Sequence, residues 1–156
     1  MDVIEYADYH SVPGVILLNI EKAFDSVNHD FLFEVLKQFN FGNKFIQWIR
    51  SLYFCKLITY VINNGFMTQP ISMERGILQG CPVSPYLFLL VIAILAIAIR
   101  QNDNIHGIPV DNHELKVSLL AADTTCFLDG SSASFDNLFD ILNQSATFSG
   151  CKINFF

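Results

Sequence analysis

Val117-Ser118-Leu119-Leu120-Ala121-Ala122-Asp123-Thr124-Thr125-Cys126-Phe127-Leu128 is the stretch whose reading decides the fold. Two short apolar runs, Val117 to Leu120 and Thr125 to Leu128, enclose Ala121-Ala122-Asp123-Thr124. That pattern reads as a β-hairpin with the tetrapeptide at its tip. Asp123 is the one acidic side chain there, and a hairpin tip is an exposed place for it.

Outward from the hairpin, strands and helices are interleaved. Val15 to Ile20 follows Pro13-Gly14 and reads as a buried strand. Asn28 is placed to cap a helix over 29–39, with Phe31, Leu32, Val35, Leu36 and Phe39 as its apolar stripe. Asn40-Phe41-Gly42 closes that helix. A second begins near Asn43, with Phe45, Ile46, Trp48, Ile49 and Leu52 at helical spacing, and core packing is expected of all these aromatics. Leu57 to Ile62 and Phe66 to Ile71 flank Asn63-Asn64-Gly65, the turn chemistry of a hairpin. Ser84-Pro85 supplies an N-cap and a first-turn proline for a helix reaching Gln101. Ile105 to Val110, an Asp111-Asn112 turn and a strand over 115–120 follow. Phe135, Leu138, Phe139, Ile141 and Leu142 mark a last helix, ended by Ser149-Gly150, and Lys152 to Phe156 opens another strand. This order predicts an α+β fold, an antiparallel sheet with helices packed on one face.

With 156 residues, 52% hydrophobic content and 15 Phe, the chain has one domain's worth of core. Charged residues make up only 15%, so an isolated fold would expose much apolar surface, as a piece of a larger protein does. A net charge of −6 with nine Lys and Arg argues against a free-standing nucleic-acid binder. Cys55, Cys81, Cys126 and Cys151 form no C-x-x-C pair and read as thiols in a reducing compartment; the four histidines are equally scattered. Met1 to Glu5 is acidic, with no signal-peptide character, so an intracellular location, nuclear or cytoplasmic, is expected. Tyr86 to Ile99 is an apolar run of fourteen residues. As a helix it would span about 21 Å, short of the roughly 30 Å of a bilayer core, so a core helix is expected rather than a transmembrane span.

Two further blocks share the chain with the hairpin: Asn19-Ile20-Glu21-Lys22-Ala23-Phe24-Asp25-Ser26-Val27, and Arg75-Gly76-Ile77-Leu78-Gln79-Gly80-Cys81-Pro82 followed by Ser84-Pro85. In this order and at these separations the three blocks resemble the palm motifs of a reverse transcriptase, most closely the LINE-type enzymes of non-LTR retrotransposons. Ser149-Gly150 followed by Lys152-Ile153-Asn154 resembles a fourth block of that family. The resemblance runs from about Gly14 to Phe155. It implies a partial reverse transcriptase domain over 1–156, the end of the fingers and the palm, with the fingers truncated and no thumb or endonuclease region.

The activity implied is RNA-directed DNA synthesis, with an RNA template, a DNA primer and dNTPs as partners. Such enzymes use two Mg²⁺ (or Mn²⁺) ions to activate the primer hydroxyl and stabilise the leaving oxygen. Mg²⁺ prefers hard anionic oxygens, and carboxylates plus substrate phosphates form the usual cage. In the family, the first Asp of the strand block and the first Asp of the hairpin bridge the metals. Those positions are Asn19 and Ala122 in this chain, and only Asp123, the lesser of the two hairpin positions, is retained. Glu21 and Asp25 stand nearby, but each would have to reach back past the strand end.

The resemblance also places Phe24 under the incoming sugar, Gln79 and Gly80 in the nucleotide pocket, Lys22 and Lys152 near the phosphates, and Arg75 on template or phosphate. Relatives usually carry Glu at the position of Ala93, and Tyr or Phe at that of Leu120. The expectation is a catalytically dead copy that binds nucleic acid weakly or not at all. The alternative is a non-catalytic RNA-binding or scaffold protein that keeps the palm fold; a membrane role anchored by Tyr86 to Ile99 is disfavoured by length.

Overall fold

In the computed structural model, residues 14–54, 58–73, 75–120 and 123–155 are described. Strand β1 (Val15–Ile20) lies inside a four-stranded antiparallel sheet, between β10 (Ile153–Phe155) and β9 (Asp123–Phe127), with β8 (Val117–Leu120) at the far edge. The hairpin read from the sequence is therefore β8–β9, with Asp123 and Thr124 paired to Leu120 and Leu119 as the start of β9 rather than in the tip, and the C-terminal run is a strand pairing with β1.

Alternation along these strands sorts the two faces. Leu18, Ile20, Val117, Thr124 and Cys126 share one face and are buried. Val15, Leu17 and Leu120 lie on the other, exposed at 48%, 60% and 76%. The sheet thus has a covered face and an open one, as helices packed on one side require.

Two long helices form most of the cover. The stripe Leu87, Phe88, Val91, Ile92, Leu95, Ala96 and Ile99 of α4 (Ser84–Gln101) is buried against α2 (His29–Gln38), α5 (Ser132–Ser149) and β8. By length and composition alone α4 could cross a membrane; that stripe at helical spacing is instead part of the core. Asn28 caps α2 by accepting the Phe31 N–H at 3.1 Å. Gly150 ends α5 in the left-handed region (φ 78°), as a glycine after a helix does.

Other details depart from the sequence reading. Helix α3 (Asn43–Phe54) buries Ile46, Ile49 and Tyr53, but Trp48 and Leu52 are exposed at 69% and 46%. This helix packs on α2 through a single narrow stripe, and the next positions round the cylinder face outward. Ser84 is no N-cap: the cap position is Val83, without a side-chain cap bond, and Ser84 is the buried first helical residue.

The arm between α3 and α4 forms two short ladders rather than two long strands. Ile58–Thr59 (β2) pairs with Ile71–Ser72 (β5), and Ile62–Asn63 (β3) with Phe66–Met67 (β4). Asn64 and Gly65 turn between β3 and β4 with φ of 49° and 83°, the type I′ pattern. Pro70, lacking an N–H, stands where the pairing breaks. The expected 115–120 strand is likewise split. His113–Leu115 (β7) pairs with Ile108–Val110 (β6), and beyond Lys116 the chain changes partner to β9.

One buried group is unsatisfied: Thr124 Oγ1 has no hydrogen-bond partner among the described residues, and Thr124 is 1% exposed. Thr124→Val keeps the shape and removes that desolvated hydroxyl. It is expected to leave the unfolding free energy from urea titration unchanged or raise it by up to about 1 kcal/mol; a clear fall would show that the hydroxyl is bonded.

Candidate active site

The antiparallel register sets Asn19 on β1 directly opposite Asp123 on β9. Across that pair the Asn19 amide Nδ2 donates to Asp123 Oδ1 at 2.9 Å. The first block and the hairpin tip therefore meet at one point, 104 residues apart in sequence. Ala122, the other position of interest at the tip, lies outside the described residues.

After β1 the chain turns sharply. Lys22 adopts a left-handed conformation (φ 48°), and its carbonyl accepts the N–H groups of Asp25 and Ser26 at 2.8 and 3.0 Å. This starts the short α1 (Ala23–Ser26) and leaves the Lys22 side chain exposed. Phe24, half-buried, stacks on Phe88 of α4 with ring centroids 5.0 Å apart.

The second block is laced onto this turn by its backbone. Gly76 N–H donates to Val27 O at 2.9 Å, and Ile77 N–H to Phe24 O at 2.6 Å. Gly76 holds φ 93°, and a Cβ there would lie 3.2 Å from the Asp25 backbone. Glycine answers both demands, the left-handed turn and the close approach. His29, buried at the start of α2, donates Nε2–H to Gly76 O at 2.7 Å. Arg75 bridges Asn28 through its backbone, with its side chain exposed.

Between α1 and α4 the block borders an open cavity of about 600 Å³, lined by Phe24, Leu78, Gln79, Gly80, Cys81, Ser84 and Pro85. Three of the residues assigned to a nucleotide pocket, Phe24, Gln79 and Gly80, thus share one cavity. Lys22 and Lys152 do not line it. Lys152 is exposed, and its carbonyl accepts the Glu21 N–H at 2.9 Å, tying the fourth block to the first.

Some contributors went unread in the sequence. Gln79 Nε2 donates to Asp25 Oδ1 at 3.1 Å, linking the two blocks by side chains. Tyr53 and Ser84 sit behind the loop, with Tyr53 OH 3.1 Å from Ser84 Oγ. Burial pushes the Tyr53 hydroxyl above the usual phenol range despite opposing bonds from Ser84 and Leu78, so it is a neutral donor at physiological pH. Nothing in the spacing of an aromatic on an amphipathic helix distinguishes such a role from plain packing.

The donor set does not fit a divalent ion. Asp123 is a lone carboxylate whose Oδ1 already accepts the Asn19 amide, and Asn19 has only a neutral carbonyl oxygen left to offer. Asp25 is engaged by Gln79. Among the described residues no three His, Cys, Asp or Glu side chains gather in metal-binding proximity. Mg²⁺ demands near-octahedral oxygen ligation anchored by carboxylates.

The sequence profile of the reverse transcriptase (RNA-dependent DNA polymerase) family matches residues 5–155. The chain belongs to the reverse transcriptase family. It is similar to LINE-type relatives: 30% identical over 134 residues to a retrovirus-related Pol polyprotein from type-1 retrotransposable element R2 of Popillia japonica, covering 86% of this chain and 21% of that protein. To the transposon TX1 uncharacterized 149 kDa protein of Xenopus laevis it is 32% identical over 104 residues, 67% of this chain and 8% of that one. The chain therefore spans about a fifth of the first relative's length and under a tenth of the second's.

Among solved structures, the apo telomerase of Candida tropicalis truncated from its C-terminal domain aligns with a TM-score of 0.61 at 14% identity, over 97% of this chain and 31% of the telomerase. A Candida albicans telomerase in complex with the TWJ fragment of telomeric RNA gives 0.63 at 12% identity, over 97% and 27%. At such identities the likeness concerns the fold, a palm-like α+β arrangement.

Proposed function

We propose that this chain is the end of the fingers and the palm of an RNA-directed DNA polymerase whose nucleotidyl-transfer centre has lost its metal grip. The observation that carries this reading is the Asn19–Asp123 contact. A strand end and a hairpin tip converge within 2.9 Å, as two-metal chemistry needs, yet one partner is an amide. Asp at position 19 would set two carboxylate side chains side by side to share cations. Asn19 satisfies Asp123 by donating a hydrogen bond, which takes the place of a cation's attraction. With Ala122 offering no ligand atom, too few anionic oxygens remain.

Substrate contacts follow the same reading. Phe24, braced by Phe88, is the floor on which a deoxyribose would rest, and the Gln79–Gly80 segment is the pocket wall. The exposed Lys22, Lys152 and Arg75 are available to phosphates. The open sheet face would carry an RNA template and DNA primer, as RNA association of the telomerase relatives suggests for the family. Nine Lys and Arg against 15 acidic residues make that grip weak in this chain alone, and an intracellular setting suits it.

Primer extension tests the reading. With an RNA template, a DNA primer, dNTPs and either Mg²⁺ or Mn²⁺, the unaltered chain is expected to give no template-dependent product above background. Any such synthesis would mean that other oxygens hold the ions and would overturn the assignment of Asn19 and Ala122.

A further inference from the structure

We propose that Tyr53 and Ser84 are positioning residues of the 600 Å³ cavity, fixing the 78–84 loop that forms its wall; this rests on reading that cavity as the nucleotide pocket. The loop is two consecutive turns, each closed by one backbone bond. Cys81 N–H donates to Leu78 O at 3.3 Å, and Ser84 N–H donates to Cys81 O at 3.1 Å. The Ser84 hydroxyl then reaches back across the whole loop and donates to Leu78 O at 2.6 Å.

A serine hydroxyl has one proton to give. With that proton committed to Leu78, the bond to Tyr53 runs the other way, from the Tyr53 O–H into a lone pair of Ser84 Oγ at 3.1 Å. Ser84 and Tyr53 are 1% and 2% exposed, so water offers neither group an easy alternative partner. The other root of the loop is held similarly: His29, whose ring lies 5.5 Å from that of Tyr53, donates to Gly76 O. Gln79 and Gly80 form the exposed segment between these anchors, where Gln79 Nε2 donates to Asp25 Oδ1. Pocket shape is thus set by Ser84 at the cavity wall, braced from behind by Tyr53 of α3 and His29 of α2, which line no part of the cavity.

Cys81 supplies a reporter, because it is half-buried on this loop, whereas Cys126 is fully buried in the sheet with its thiol pushed up to about 12 by burial. N-Ethylmaleimide labelling of the full chain, read by peptide mass spectrometry, separates local from global opening. Ser84→Ala strips Leu78 O of a strong donor and takes away the acceptor of the Tyr53 O–H. It is expected to speed Cys81 labelling about tenfold, with Cys126 changed less than twofold.

Tyr53→Phe is expected to give a smaller Cys81 effect, about threefold, and serves alone if Ser84→Ala fails to fold. Equal acceleration of Cys81 and Cys126 would make the pair merely structural, and an unchanged Cys81 rate would show that the loop does not depend on it. Either result overturns the proposal. A dTTP arm tests the reading beneath it: protection of Cys81 in the unaltered chain that weakens in Ser84→Ala supports both. A loop effect without any protection would overturn the nucleotide assignment alone.

Discussion

Gly150→Ala is expected to lower stability by about 3 kcal/mol, a fall of roughly 6–12 °C in Tm for a domain of this size. Two costs combine. Gly150 holds φ 78°, where an L-residue pays about 1 kcal/mol or more. Its added Cβ would also meet the Ser26 carbonyl oxygen at 2.5 Å, a backbone atom that cannot swing aside. The collision falls where α5 hands over to β10, beside the Asn28 N–H to Ser149 O bond of 2.7 Å and the Glu21 N–H to Lys152 O bond of 2.9 Å. Relief of the clash must therefore shift the β10 edge against β1, the strand that carries Asn19.

Gly65→Ala is the control for that argument. Gly65 has nearly the same φ, 83°, but nothing lies within 4 Å of its added Cβ. Only the conformational cost applies, about 1 kcal/mol. Urea midpoints of the two variants check the difference. Equal losses would mean that the Ser26 contact relaxes freely and that the fourth block is not clamped to the first.

Much of this architecture was legible because local chemistry and tertiary need coincide. Asn28 caps α2, Gly150 ends α5 and Asn64-Gly65 turns its hairpin for reasons contained in a few neighbouring residues. The strand bounds of β1 followed from a bounded apolar run. Trp48 and Leu52 misled because helical spacing identifies a stripe without saying how wide a neighbour will cover it. Ser84-Pro85 misled differently. The pair has the composition of a helix start, but the hydroxyl is drawn backward to Leu78 O by tertiary structure. The Gln79–Asp25 and Tyr53–Ser84 bonds span 54 and 31 residues, and no local pattern encodes them. The meeting of Asn19 and Asp123 came from motif resemblance, whereas its chemistry, an amide donating to a carboxylate, needed the register.

Asn19→Asp together with Ala122→Asp is expected to create a Mn²⁺ site where the unaltered chain has none. The gain is to be read in this chain by Mn²⁺ electron paramagnetic resonance and by a metal-dependent rise in Tm. Asn19→Asp by itself is informative in sign. It replaces a donor 2.9 Å from Asp123 Oδ1 with a second carboxylate, so the two repel while both are ionised, and protonating one relieves the repulsion. The single variant should therefore be less stable than the unaltered chain at pH 7 and recover on acidification. Adding Ala122→Asp supplies the further anionic oxygens that let a cation, rather than a proton, offset the repulsion. Mn²⁺ should then rescue the double variant at pH 7 and leave the single one little changed. Binding of Mn²⁺ by the unaltered chain as strongly as by the double variant would place the ions on other oxygens, and Asn19 would lose its meaning as a disarmed ligand.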